Sequence, residues 1–169
     1  MKYMVSCIIA LLIVTVPTVW AQSSQADQFN GTWKLNVARS TTKWQAHPQP
    51  KVAEPQPQSF ELITMSIAND TMDYKVEYAR ANERHRKANY TARYNDARWQ
   101  DIHGDPDGPL STLTLVKTSD RTHYWVTRAK DGQFAGLVVR QMAEDGKSFT
   151  SVGLGGDGYV QYVRVFDKQ

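Results

Sequence analysis

Two alternating segments, MDYKVEY at residues 72–78 and ANYTARY at residues 88–94, decide the fold of this chain. Successive side chains of a β-strand point to opposite faces, so each segment predicts a strand with one polar face and one aromatic or small apolar face. The second kind of face carries four tyrosines and two alanines: Tyr74, Tyr78, Tyr90, Tyr94, Ala88 and Ala92. We predict that the two faces form one wall, which belongs either to a filled core or to a ligand cavity.

The rest of the chain predicts more short strands joined by tight turns. Alternating segments recur at residues 29–36, 60–67, 110–117, 122–129, 133–142, 149–154 and 159–166. Turn-forming residues such as Asn69-Asp70 separate them, and no segment after residue 21 shows the 3.6-residue apolar repeat of a helix. A long meander hides its edges most directly by closing on itself. We therefore predict an all-β, antiparallel up-and-down barrel of about eight to ten strands, with a β-sandwich as second choice.

The amino-terminal residues predict a secretion signal. A basic start at Lys2 and an apolar run at residues 8–16 precede Val19-Trp20-Ala21, which is a small-x-small cleavage site. The apolar run has roughly half the ~20 residues that a membrane-spanning helix needs, so we expect no stable membrane insertion. We predict a signal peptide at residues 1–21 and a single mature domain at residues 22–169, located in the periplasm or outside the cell.

The composition of the mature chain excludes several functional classes. Cleavage would remove Cys7, the only cysteine, and with it any disulfide, thiolate metal site or cysteine nucleophile. It would also remove Lys2, which leaves 19 basic against 17 acidic side chains. A net charge of about +2 without a concentrated basic face does not indicate nucleic acid binding. The composition leaves the oligomeric state open.

A proline-rich segment at residues 41–59 interrupts the pattern of strands. It contains Pro48, Pro50, Pro55 and Pro57, which exclude a central strand or a helix interior and favour an extended surface segment. Long segments of this kind often cover binding sites, and they also serve as plain tethers. Both interpretations stay open.

Two short motifs carry a resemblance to a known family. Gly31-Thr32-Trp33, at the start of the first strand, resembles the Gly-x-Trp opening of the lipocalin and calycin group. The longer segments at 29–40 and 163–169 resemble exported bacterial lipocalin-like proteins, which are mostly uncharacterised. The resemblance implies a barrel that binds a small ligand. It also implies a structural role for Trp33, with Arg164, or Arg140 behind it, packed across the indole. The chain lacks the disulfide and the clear carboxy-terminal helix of lipocalins.

Two groups of residues could carry acid–base chemistry. In the loop at residues 99–109, His103 lies near Asp101 and Asp105, which can orient an imidazole as a base or can simply form turns. His123 and Trp125 share one face of a predicted strand, and the pattern does not decide whether that face points inward. His103 and His123 do not have a recognised metal-ligand spacing, so we expect neither a metal site nor a cofactor.

We predict that the barrel binds a small apolar or aromatic molecule in its interior. The predicted ligand-binding residues are Tyr74, Tyr78, Tyr90, Tyr94, His123 and Trp125. The alternative is a cofactor-free lyase, isomerase or hydrolase that acts on an aromatic or polyketide-like molecule. In that alternative His103 or His123 moves a proton, Asp105 or Asp101 orients the imidazole, and a tyrosine holds the oxyanion. A barrel filled by its own side chains is the third possibility.

Overall fold

The computed structural model describes residues 26–41, 58–106 and 110–169. The regular secondary structure of these residues consists of β-strands, and none of them belongs to a helix that is long and apolar enough to cross a membrane. The predicted signal peptide and most of the proline-rich segment lie outside the described residues. Both therefore stay predictions.

The strands of the described residues form one antiparallel sheet. They are β1 (Gly31–Thr41), β2 (Gln58–Ala68), β3 (Thr71–Arg80), β4 (Arg86–Arg93), β5 (Gln100–Asp101), β6 (His103–Gly104), β7 (Leu110–Ser119), β8 (Thr122–Ala129), β9 (Phe134–Met142), β10 (Ser148–Gly155) and β11 (Val160–Lys168). Their order in the sheet is β5-β7-β8-β9-β10-β11-β1-β2-β3-β4-β6. Most neighbours in the sheet are therefore neighbours in sequence, as in a meander.

The sheet closes almost completely into a barrel. β11 pairs with β1, which places Trp33 opposite Lys168 and joins the first and last strands of the described residues. β5 and β6 stand at opposite ends of the strand order, yet only Ile102 separates them in sequence. The predicted antiparallel barrel is confirmed. The described residues form eleven strands rather than eight to ten, and the loop after β4 contributes two of these strands, each only two residues long.

The two segments that decide the fold alternate as predicted. In β3, Met72 and Tyr74 are buried while Asp73 and Lys75 are exposed. In β4, the alanines and Tyr90 are buried and the polar residues between them are exposed. The two strands pair in register, and Tyr74 lies directly opposite Tyr90. Their apolar sides thus form one continuous inner wall.

Side chains fill one end of the barrel, which we call the closed end. Phe29 and Trp33 are fully buried there, and the Trp33 indole donates a hydrogen bond of 2.9 Å to the Phe29 carbonyl oxygen. Phe149 packs edge-on against Trp33, with ring centroids 5.0 Å apart. Phe29 from the segment before β1 and Trp33 from β1 therefore plug this end of the barrel.

The cation that lies over Trp33 differs from the expectation. Lys168 places its Nζ atom 5.1 Å from the centroid of the indole. Arg164 instead forms an ion pair with Glu61 of β2, on the other side of β1. The expectation for Arg164 was therefore wrong, because inward-facing Glu61 attracts it and the register of β11 puts Lys168, not Arg164, opposite Trp33.

Candidate ligand-binding site

A cavity of about 350 Å³ lies inside the barrel. This volume is at the small end of the range that is typical of ligand pockets, roughly 300–1,000 Å³. Aromatic and aliphatic side chains make up much of its wall, including Ile63, Tyr74, Val76, Tyr78, Ala88, Tyr90, Ile102, Trp125, Val138 and Phe166. The barrel is therefore filled at its closed end and hollow further along.

Three aromatic rings form the most ordered part of the cavity wall. The rings of Tyr74 and Tyr90 are stacked, with centroids 4.7 Å apart and an angle of 14° between their planes. The ring of Trp125 lies 5.7 Å from Tyr74 and 5.5 Å from Tyr90. Such packed rings hold each other in place, and they offer a preformed apolar surface to a ligand.

Arg140 in β9 places a charged group against this aromatic surface. Its side chain is almost fully buried, with 3% exposure. The guanidinium carbon lies 4.9 Å from the centroid of the Tyr74 ring and 5.0 Å from that of Trp125, and Nη2 donates to the Tyr74 hydroxyl at 3.2 Å. Within the described part of the chain, we find no carboxylate that forms an ion pair with Arg140.

The protonation states around Arg140 leave its charge uncompensated. Burial raises the pKa of Tyr74 well above its usual value and that of Tyr90 to about 12, so both phenols are neutral near pH 7. Burial alone would lower the pKa of Arg140, but interactions with Tyr74 and other nearby phenols outweigh this effect and raise it. Arg140 is therefore a buried cation whose aromatic neighbours are neutral.

Buried nitrogen atoms of Arg140 and Trp125, which both line the cavity, lack a hydrogen-bond partner among the described residues. They are Nε of Arg140 and Nε1 of Trp125. Both atoms can donate a hydrogen bond and neither can accept one. A buried donor without an acceptor is costly, so a ligand oxygen that reaches either nitrogen, which neighbouring side chains cover in the ligand-free protein, would stabilise the site.

A second pair of charges lies on the cavity wall. Arg164 in β11 donates to Glu61 in β2 at 2.9 Å, and its guanidinium carbon lies 3.9 Å from the centroid of the Tyr162 ring. Both side chains of the ion pair are largely buried. The charge of Arg164 thus balances that of the Glu61 carboxylate. Glu61, Arg164 and Arg140 together therefore carry a net charge of one positive unit.

A strap, defined as residues 99–106, covers the barrel wall between β4 and β7. The Asp105 carboxylate accepts hydrogen bonds of 3.0 and 2.9 Å from Nε and Nη2 of Arg86. The Tyr78 hydroxyl donates to the Asp105 carbonyl oxygen. The contact with Arg86 holds the pKa of Asp105 below its usual value, so this carboxylate is ionised near pH 7.

The predicted ligand-binding residues occupy two separate places. Tyr74, Tyr78, Tyr90 and Trp125 line the cavity. Tyr94 and His123 are buried near Phe29 at the closed end, and neither lines the cavity. The Tyr94 hydroxyl lies 2.7 Å from Nδ1 of His123, and the Phe29 ring centroid lies 4.0 Å from that of the imidazole. Burial lowers the pKa of His123 to about 4, so this histidine is neutral near pH 7.

The residues predicted for acid–base chemistry do not come together. His103 is exposed on β6, where it lies opposite Asn89, and Asp101 is exposed on β5. Asp105 binds Arg86 rather than an imidazole. No histidine lines the cavity within the described ranges, and these ranges contain no cluster of three histidine, cysteine or acidic side chains that could hold a metal ion. The enzymatic alternative therefore stays a prediction without support from the geometry.

Sequence reasoning missed the charged groups of the cavity. Arg140 belongs to the inward face of β9 with Val138 and Met142, whereas Leu137 and Val139 make the outward face apolar as well. Because both faces are apolar, the pattern does not show which way Arg140 points. The sequence did contain one signal for an inward-facing charge: Arg140 lies in a strand that is apolar on both faces.

Two solved structures share the fold. A fatty acid binding protein of Schistosoma mansoni, in complex with arachidonic acid, superposes with a TM-score of 0.56 over 85% of this chain and 98% of that chain, at 14% sequence identity. A mutant of the fluorescent protein UnaG gives a TM-score of 0.54 over 84% of this chain and 96% of that chain, at 13% identity. The chain thus shares the β-barrel fold of these two proteins. No protein-family model and no curated protein matches its sequence.

Proposed function

We propose that this protein binds a small amphipathic molecule inside the barrel, with an apolar or aromatic body and one anionic group. The observation that carries the proposal is Arg140, a buried cation on the cavity wall without a carboxylate partner in the described part of the chain.

The body of the ligand is assigned to the aromatic wall. The rings of Tyr74, Tyr90 and Trp125 pack against one another, and Val76 and Ile63 extend the apolar surface beside them. Removing apolar ligand surface from water contributes about 25 cal/mol per Å². This burial supplies most of the affinity, whereas the polar groups fix the orientation.

The anionic group is assigned to Arg140 and Trp125. Nε of Arg140 and Nε1 of Trp125 are both donors that need an acceptor, and a carboxylate has two oxygens that accept strongly. The anion also compensates the charge of the Arg140 guanidinium, which has lost its hydration because it is buried. The fatty acid in the complex of the structurally similar protein combines an apolar chain with a carboxylate, which agrees with this assignment.

A competition experiment with matched ligands tests the proposal. The reporter is 8-anilinonaphthalene-1-sulfonate (ANS), which is aromatic and anionic and fluoresces in apolar sites. We expect saturable binding of ANS and its displacement by decanoate and by 2-naphthoate. Decanol and 2-naphthalenemethanol have the same bodies without the charge, and we expect them to bind about tenfold to a hundredfold more weakly, since a hydrogen bond to a charged group contributes roughly 1.5–3 kcal/mol.

Two results would argue against the proposal. If ANS and all four competitors fail to bind to the folded protein, the cavity is not a ligand site. If the acids and the matched alcohols bind equally well, Arg140 does not recognise an anion. The comparison between aliphatic and aromatic bodies shows which of them the wall of Tyr74, Tyr90 and Trp125 prefers.

A further inference from the structure

The strap lies between two cavities that share part of their walls. Outside the barrel, next to the strap, is a polar cleft of about 450 Å³, which we call the outer cleft. Its lining includes Arg86, His103 and Lys130. Ile102, Pro106 and Leu110 line both the outer cleft and the interior cavity. Among the described residues, these three side chains lie between the interior cavity and the outer cleft.

Few residue pairs join the strap to the neighbouring strands, although the Asp105 amide also donates to the Lys87 carbonyl oxygen and the Ile102 amide to the Ser111 carbonyl oxygen. Two residue pairs join β6 to β4, and two join β5 to β7. By comparison, β3 and β4 share eight residue pairs. Segments with few backbone hydrogen bonds open locally at the lowest free energy. A ligand that crosses the wall at the strap would have to break fewer pairings than between β3 and β4.

The Arg86–Asp105 ion pair fastens the strap to β4. It is bidentate, and Arg84 adds a contact of 3.2 Å to the same carboxylate. The Tyr78 hydroxyl donates to the Asp105 carbonyl oxygen, and the Tyr78 ring lines the interior cavity. The fastening therefore connects the ligand site directly to the strap, and it involves groups that are partly exposed to water.

We infer that the ligand enters and leaves the barrel sideways under the strap, through the outer cleft, and that the Arg86–Asp105 pair controls the rate of this exchange. The inference rests on the proposed function, because it needs a ligand inside the cavity. The charged lining of the outer cleft is balanced, with Arg86 and Lys130 against Asp101 and Asp105, so the described residues of the cleft carry no excess of negative charge that would repel an approaching anion. The strap acts on the rates of binding and release alike, and so it leaves the equilibrium affinity unchanged.

Reversible disulfides across the strap test this route. Asn89 lies opposite His103, and Asp101 lies opposite Thr112, so cysteines at these four positions can tie the strap to both β4 and β7. Cys7 is replaced by serine in the full chain. Stopped-flow fluorescence follows the release of ANS into excess decanoate. We expect the oxidised protein to release ANS at least tenfold more slowly than the reduced protein, with the same equilibrium Kd.

The outcomes separate this inference from the proposed function. Equal release rates in the oxidised and reduced forms, with ANS still bound, overturn the sideways route and leave the proposed function intact. A changed Kd without a slower release overturns the route as well. Failure of ANS to bind the unmodified protein overturns both.

A second variant tests the fastening without new cross-links. Asp105→Asn removes the charge that Arg86 binds, and we expect ANS release to become about threefold faster, in line with the modest strength of partly exposed ion pairs. Asp73→Asn is the matched control, because Asp73 is an exposed carboxylate on the outer face of β3 that accepts a hydrogen bond from Thr91. Equal release rates in the two variants would overturn the role of the Arg86–Asp105 pair.

Discussion

Arg140 occupies a position that packing alone does not favour. A buried guanidinium loses its hydration, and its neighbours on the cavity wall are neutral rings. Hydrophobic side chains of similar size often replace buried charges with no loss, and sometimes a gain, in stability. Arg140 is unfavourable for folding and lines a cavity, so we explain its presence by the binding of an anionic ligand.

The variant Arg140→Met should therefore change stability and binding in different directions. We expect the ligand-free variant to unfold at the same urea concentration as the unchanged protein or at a higher one, because an uncompensated charge is removed. Its affinity for decanoate should fall about tenfold to a hundredfold, while its affinity for decanol stays the same. Arg93→Met, on the exposed face of β4, is the control. Lower stability together with unchanged decanoate binding would contradict the role assigned to Arg140.

His123 makes the stability of the closed end depend on pH. Its native pKa of about 4 lies below the usual value of 6.5, because burial disfavours the charged form more than nearby Asp27 favours it. Between these two values the unfolded chain binds a proton that the native protein does not bind. The free energy of unfolding therefore falls as the pH decreases from 6.5 to 4, and this histidine causes no further loss below that range.

Urea unfolding at pH 7 and pH 4.5 measures this effect. The protein should lose about 2 kcal/mol more between the two pH values than the variant His123→Gln does. His103→Gln, which replaces an exposed histidine on β6, should behave like the unchanged protein. Parallel losses in the protein and in His123→Gln would show that other groups cause the pH dependence.

At the scale of elements, the pairing of β10 with β11 shapes the cavity. Gly153 lies opposite Tyr162, and a Cβ atom at position 153 would come within 2.2 Å of the Tyr162 ring. The absence of a side chain lets the ring lie against the β10 backbone. The cavity beside these two residues therefore depends on a glycine.

The variant Gly153→Ala should push the Tyr162 ring away from β10. We expect the free energy of unfolding to fall by about 1–3 kcal/mol, as for other overpacked sites, and ANS binding to weaken. In the double variant Gly153→Ala/Tyr162→Ala the clash is gone, so ANS binding should recover relative to the single variant. Chemical unfolding and ANS titration measure the two effects. Full ANS affinity in the single variant would show that Tyr162 does not limit the cavity.

The sequence was most informative about elements with one polar face. The alternation in β3 and β4 predicted both strands and the tyrosines that line the cavity, because Asp73, Lys75 and Arg93 leave only one possible inner face. In β8, Tyr124 and Val126 oppose His123 and Trp125, so the pattern left the inner face open. The depth of a residue along the barrel depends on strand shear, which no single segment encodes. His123 was therefore assigned to the ligand wall, although it lies at the closed end.

At the scale of the whole molecule, the closed barrel explains why charged groups from distant segments meet. Glu61 and Arg164 are 103 positions apart in sequence and form an ion pair of 2.9 Å between β2 and β11, the two strands that flank β1. Met65 and Arg140 approach each other in the same way. Contacts of this kind result from closure of the sheet, so sequence patterns predicted the barrel but not the charges inside it.

The most direct test of the ligand site is a crystal structure of the protein with decanoate. We predict that the fatty acid lies in the interior cavity, with its carboxylate about 3 Å from Nε of Arg140 and from Nε1 of Trp125. Its chain should pack along Tyr74 and Tyr90. An empty cavity at saturating decanoate, or a bound molecule whose carboxylate points away from Arg140, would contradict the account.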